Sequence, residues 1–231
     1  MREGRDQFSA WAEQYDDALH QGLALSGERK EYFARGRVEW LKRQLAARHF
    51  HPKNILDFGC GTGTSTPLLR EAFQAEAVLG VDVSDRSLEM ARERNAGPGI
   101  VYENSLDRAP LPHFDLAFCN GVFHHIPPVQ RPQALSYIWQ SLVPGGWLAF
   151  WENNPWNPGT RWVMSRIPFD HDAITLTPPE ARQLLTRCGF HHPQLRFLFI
   201  FPHVLRAFRF LEPYLARFPL GAQYQVLCQR P

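Results

Sequence analysis

The chain has 231 residues, 44% hydrophobic and 21% charged, enough for one sizeable core with embellishments rather than several domains. A formal net charge of +2 leaves no polyanion footprint, which argues against a nucleic-acid partner. Cys60, Cys119, Cys188 and Cys228 lie far apart without C-x-x-C spacing, and "MREGRDQFSAWAEQYDDALH" lacks the apolar centre of a signal peptide. No apolar run approaches the roughly 20 residues that span a bilayer, so the expectation is a soluble, cytoplasmic protein with reduced thiols.

Residues 6–48 read as helices, since "FSAWAEQYDDAL" and "EYFARGRVEWLKRQLAARH" place apolar residues at three-to-four spacing, with a break at "GLALSG". From residue 54 the pattern alternates. "NILDFG" precedes a helix at 67–75, "AVLGVDV" one at 84–94, "IVYENS" a loop, and "FDLAFCNG" a helix at 130–142 followed by "GGWLAFWEN". Such alternation predicts an α/β fold, a parallel sheet covered on both faces with ligands beyond the strands' carboxyl ends. Residues 153–175 read as one long irregular loop, the kind that often carries function. A helix at 178–187 follows, opened by "TPPE" with Thr177 as N-cap. "QLRFLFIF" and "AQYQVLCQR" read as the last strands, and an amphipathic helix over 203–217 separates them.

The first chemistry lies in "NILDFGCGTGTSTPLL", where an apolar run ends at Asp57, Gly59, Gly61 and Gly63 follow, and Pro67 opens a helix. Glycines let backbone approach a ligand, and the helix start points free N–H groups at the same space. A dinucleotide would set its pyrophosphate against this loop and be repelled by Asp57, and the G-x-G-x-G spacing departs from G-x-G-x-x-G. An ammonium-bearing ligand such as S-adenosylmethionine (SAM) suits the acid instead. The next strand ends at Asp82, where a carboxylate can accept from both hydroxyls of a ribose. Each acid alone also suits a plain turn.

Together, "ILDFGCGTGTST", "VLGVDVSD", "FDLAFCNGVFHHIP" and "LVPGGWLAF" resemble the successive motifs of the class I SAM-dependent methyltransferases. The resemblance implies a Rossmann-like, doubly wound, seven-stranded sheet whose last strand is antiparallel; the N-terminal helices themselves read as a lid over the cleft or as ordinary core contacts. The implied division is a cap over residues 1–48 and a SAM-binding domain over 49–231, which carries the 153–175 substrate loop and the 203–217 helical insertion. By the same resemblance Asp57, Gly59, Gly61 and Gly63 hold the methionine part, Asp82 the ribose, and Val83 flanks adenine. Asn104 and Ser105 face the adenine edge, and the Asn120 backbone meets the SAM amino group. Asn104 stands where relatives commonly carry an acid, and its amide oxygen can still accept a hydrogen bond.

On the acceptor side, His124-His125 lacks the neighbours of a metal site, so no metal is expected, and the pair reads as one packed histidine and one, His125, facing the cleft. Glu152, beyond a strand end, is a candidate to orient substrate or take a proton, or to bond loop N–H groups. In "PFDHDA", His171 between Asp170 and Asp172 is a third candidate catalytic residue, unless the stretch is a charged turn. Tyr15, Tyr32 and Arg35 are candidate substrate contacts from the lid, whereas Phe8 and Trp11 read as core. Trp156, Trp162 and Phe169 suggest aromatic walls for a flat acceptor. "FRFLEPYLARF" either packs its aromatic face on the sheet, the preferred reading, or grazes a membrane. The expected function is methyl transfer from SAM, leaving S-adenosylhomocysteine, to an O, N or C atom of a small molecule, with membrane contact not expected. The alternatives are a methyltransferase for a lipid head group or macromolecule, and a SAM-binding regulatory protein without turnover.

Overall fold

Seven apolar runs become the strands of one sheet: β1 (Asn54–Phe58), β2 (Ala77–Asp82), β3 (Ile100–Asn104), β4 (Phe114–Asn120), β5 (Leu142–Asn153), β6 (His191–Leu198) and β7 (Gln223–Gln229). In this computed structural model the described residues are 27–104, 110–167 and 173–231. Tyr15, with Phe8 and Trp11, lies outside the described residues, as do Ser105, Phe169, Asp170, His171 and Asp172. The strand order is β3-β2-β1-β4-β5-β7-β6. Strands β1 to β5 run parallel, and β7 enters antiparallel to both β5 and β6, as expected for a doubly wound sheet with its last strand reversed.

The period-2 alternation of buried strands divides the side chains between two layers. Ile55, Val78, Leu116 and Phe118 face α1 (Lys30–Ala46) and α2 (Thr66–Phe73), where Val38, Leu41, Leu45 and Leu69 are buried. Leu56, Leu79, Ala117 and Phe150 face the other way, toward Leu135 and Ile138 of α4 (Arg131–Ser141) and Leu185 of α6 (Pro178–Arg187). Helix α3 (Asp85–Asn95) closes the β2–β3 end with Leu88 and Ala91 against Tyr102. Each fully buried aliphatic side chain contributes about 1.5–3 kcal/mol, so these two layers carry most of the stability. The start of β1 is tied to β4 by the Asp115 carboxylate, which accepts from the N–H groups of Lys53 (2.9 Å) and Asn54 (2.8 Å).

Two expectations change. The loop at 153–175 holds a short helix, α5 (Pro158–Met164), because Asn157 caps it by accepting from Thr160 N at 3.0 Å and Pro158 takes the first helical position. The 203–217 insertion is not one α-helix but a 3-10 segment, His203–Leu211, followed by the single turn α7 (Glu212–Leu215). Pro213 removes a helical N–H there, and the Glu212 carboxylate turns back to accept from Ile200 N and Phe201 N, both at 3.1 Å. The aromatic face of this insertion does not pack on the sheet: Phe208, Phe210 and Phe218 are exposed. Among the described residues, no helix is long and apolar enough to cross a membrane.

Helix α6 starts as expected at Thr177, whose N–H and hydroxyl both donate to the Glu180 carboxylate at 2.7 Å. These bonds hold the Glu180 carboxyl below its ordinary range. Glu180→Ala should therefore cost about 1 kcal/mol of stability. Because the carboxyl is depressed in the folded state, that contribution is present above the ordinary carboxylate pKa and vanishes as pH falls through the folded value. Thermal melts of both proteins at neutral and acidic pH check it: the gap should close in acid.

Candidate functional site

The strand order reverses between β1 and β4, and their carboxyl ends open the crevice where an open α/β sheet takes a ligand. On the β1 side the chain turns at Gly59 (φ 71°), where a Cβ would stand 2.3 Å from Val122, so this turn and the one after β4 touch through the missing side chain. Gly59 N and Cys60 N both donate to Val81 O, at 2.8 and 3.0 Å, which folds the loop back on β2. Gly61 (φ 53°) is the open position, since a Cβ there would meet nothing within 4 Å. Asp57 lies under the loop, 2% exposed, with the Thr66 hydroxyl donating to it at 2.7 Å from the first turn of α2. Burial pushes its carboxyl up to about 7, reinforced by Asp82 and opposed by Thr66 and Arg37.

Asp82 ends β2 beside that loop. Its carboxylate accepts from Gly61 N at 2.8 Å and Ser84 N at 2.9 Å, and desolvation raises it against those bonds. Parallel register sets Asp82 against Asn104, and the Asn104 amide donates to Asp85 Oδ1 at 2.7 Å and Val83 O at 3.4 Å. Asp57, Gly59, Gly61, Gly63, Asp82, Val83 and Asn104 are thus brought together at the ends of three neighbouring strands.

On the β4 side, Asn120 and Gly121 open a cavity of about 500 Å³. Its walls come from the start of α1 (Glu28, Lys30, Tyr32, Phe33, Arg37), the turn after β4 (His124, His125), α5 and its approach (Asn157, Trp162, Val163) and the segment around Phe199 to Pro202. Asn120 Oδ1 is buried with no hydrogen-bond partner among the described residues. Polar groups join across the floor: Arg37 donates to Gln223 Oε1 at 2.9 Å, and Gln223 donates to Asn153 Oδ1 at 3.3 Å. At the rim the Glu28 carboxylate accepts from Arg209 at 2.7 Å, and the Arg209 guanidinium lies 4.4 Å from the Tyr32 ring centroid.

Of the candidate acceptor contacts, Tyr32 and Trp162 line the cavity. Arg35 is on the exposed face of α1 and Trp156 stacks on Phe197, so neither belongs to the wall. Glu152, 1% exposed, accepts from Phe123 N at 2.7 Å and meets His124 Nδ1 at 2.6 Å. With the carboxylate accepting, Nδ1 carries the proton and the basic lone pair sits on Nε2. His125 lines the cavity too, its ring 4.0 Å from that of His124, and burial together with His124 pushes its imidazole down to about 2. It is neutral at ordinary pH and a weak proton acceptor. Sequence reasoning divided the two histidines but did not see that the deeper one holds the carboxylate; Arg37 and Gln223 gave no sequence signal.

Residues 55–146 match the family described as "Methyltransferase domain". The chain is 32% identical over 149 residues, 63% of its own length and 57% of the relative's, to a trans-aconitate 2-methyltransferase of Rhodopseudomonas palustris (strain BisB5). A trans-aconitate 2-methyltransferase of Acidovorax ebreus (strain TPSY) is 35% identical over 135 residues, 58% of this chain and 48% of that protein. The chain thus spans about half the length of these curated relatives. Among solved structures, a SAM-dependent methyltransferase from Mesorhizobium loti superposes with a TM-score of 0.56 at 25% identity, over 77% of this chain and 90% of that one. A SAM-dependent methyltransferase of Thermotoga maritima, described as a possible histamine N-methyltransferase, shares the fold at a TM-score of 0.66 and 18% identity, over 99% and 100%. Residues 55–146 are thus similar to a methyltransferase domain, and the seven-stranded sheet has the fold of the SAM-dependent methyltransferases it superposes on.

Proposed function

We propose that the protein transfers a methyl group from SAM to an O, N or C atom of a small molecule. The observation that carries this reading is the pairing of the glycine loop and Asp82 with an adjoining cavity of about 500 Å³, which is small-molecule size. The names of the curated relatives support a small-molecule acceptor. The residues fit the cofactor: Gly61 leaves open space, Asp82 faces it from β2, and Asn120 brings an unsatisfied buried oxygen to the same crevice. Asp57 and Gly59 to Gly63 would hold the methionine part, Asp82 the ribose, and Val83 with Asn104 the adenine. When bound, SAM supplies a methyl group activated by its sulfonium.

Residues 49–231 form the SAM-binding domain in this reading, and residues 1–48 its cap. The chain's own task is to position the acceptor and exclude water. Tyr32, Phe33, Trp162 and Phe199 give the cavity flat apolar walls, and the Arg37–Gln223–Asn153 run offers directed polar contacts. His124 takes the acceptor's proton at Nε2, and Glu152 holds the ring in that tautomer and stabilises the imidazolium. This assigns the proton to His124 in preference to His125.

Calorimetry on ligand-stripped protein checks the cofactor site. Wild type should bind SAM and S-adenosylhomocysteine, and Asp82→Ala should weaken both by about tenfold or more; equal affinity in the variant would overturn the assignment. The raised Asp57 carboxyl predicts a pH dependence. A bound cation favours the ionised form, so SAM affinity should hold above about pH 7 and fall by up to about tenfold per unit below it. Asp57→Asn should flatten that profile. Finally, His124→Ala should keep SAM affinity while lowering kcat by about 10²–10⁴-fold, measured with labelled SAM on an acceptor found by screening. Unchanged kcat would remove His124 from proton transfer.

A further inference from the structure

The insertion between β6 and β7 turns one side to the cavity and the other to solvent. Phe201, Pro202 and Arg209 belong to the cavity wall, whereas Val204 is 84% exposed, Phe208 50%, Phe210 69%, Tyr214 79%, Phe218 56% and Leu220 53%. So many large apolar side chains standing out along one continuous stretch exceed what a surface carries by chance. Glu212 is the sole acid between residues 201 and 220, and it is turned inward to Ile200 N and Phe201 N. Arg206 and Arg217 are exposed beside the rings. The outer face is therefore apolar tips flanked by cations, with no carboxylate of its own exposed.

From this juxtaposition we infer that residues 203–220 are an interfacial docking surface for an anionic lipid bilayer, which would bring the cavity mouth to the membrane. The chemistry is matched on both counts. Apolar and aromatic tips enter the boundary between head groups and acyl chains, and arginine stems lie along apolar surface while their guanidinium groups meet lipid phosphates. Tyr214 has the amphipathic ring favoured at that depth, and so do Trp156 and Trp162. The α5 region carrying those tryptophans is tied to the insertion, since Asn154 and Asn157 amides donate to Gly221 O and Leu220 O, both at 2.8 Å. A folded protein partner would need a separate shaped pocket for each projecting side chain, whereas a bilayer accommodates them without one. The insertion is also held rigidly enough to act as a unit, for Glu28 accepts from His203 and Arg209, and Arg209 donates to Phe201 O.

The inference does not depend on methyl transfer, and its test reads neither activity nor cofactor. Full-length protein is floated with vesicles of phosphatidylcholine alone or mixed with phosphatidylglycerol, at low and high salt. The expected result is co-flotation with the mixed vesicles, reduced on neutral ones and by salt. Phe210→Asp changes an exposed side chain and should cut vesicle partitioning by about tenfold, with the melting temperature and SAM titration of wild type retained. The double variant Arg206→Gln with Arg217→Gln should lose the preference for anionic vesicles. Absence of flotation at low salt overturns the inference, and so does flotation that Phe210→Asp leaves unchanged. A concentration-dependent dimer in sedimentation, abolished by Phe210→Asp with no flotation in wild type, would assign the face to a second copy instead.

Discussion

The carboxylate of Glu152 holds the working end of this sheet together. Sealed at the carboxyl end of β5, it accepts from Phe123 N with one oxygen and meets His124 Nδ1 with the other. A buried carboxylate is costly unless its lone pairs are satisfied, and here the satisfaction is supplied by the turn after β4. The same turn is fixed from its far side by Arg131, which donates to Phe123 O and Ile126 O. Its Val122 side chain occupies the space that a Cβ on Gly59 would need. One buried carboxylate, bonded to the Phe123 backbone and the His124 ring, thus anchors the turn that separates the glycine loop from the cavity.

Electrostatics divides the crevice into two regimes. Around the glycine loop, Asp57 and Asp82 are both desolvated and Asp82 adds to the cost of ionising Asp57, so that region favours a positive charge on its ligand. Across Asn120, the cavity carries Lys30, Arg37 and Arg209 against Glu28, with neutral His125 between. The crevice therefore runs from acidic to basic over the width of two strands. An extended ligand pair with a cationic centre on one side and electron-rich groups on the other is held in a single orientation.

Much of this was legible in the residues because the relevant signals are local. Apolar runs ending at Asp57, Asp82 and Asn120 mark strand ends, and glycine spacing marks the tight turn. Thr177 three residues before Glu180 marks a helix start. What escaped reading depends on register between distant segments. Which of His124 and His125 meets Glu152 is decided by the β4–β5 pairing and one turn, and nothing in "FHHIP" distinguishes them. Arg37 reaches Gln223 across 186 residues of sequence. The 203–217 stretch has helical periodicity, but Pro213 and the inward Glu212 divide it, and periodicity carries no information on whether an apolar face finds a partner.

Strand β7 lies between β5 and β6, and the pairing of Asn153 with Gln223 closes a loop that contains α5, α6, β6 and the insertion. Nearly all of the cavity wall outside α1 and the β4 turn hangs on that loop, whereas the glycine loop and Asp82 belong to strands completed before it. The family match stops at residue 146, just ahead of it. Changes of length or composition within the loop leave the register of β1 to β4 untouched. The cavity of such a chain can therefore be reshaped by rewriting one contiguous stretch while the glycine-loop half is inherited unaltered.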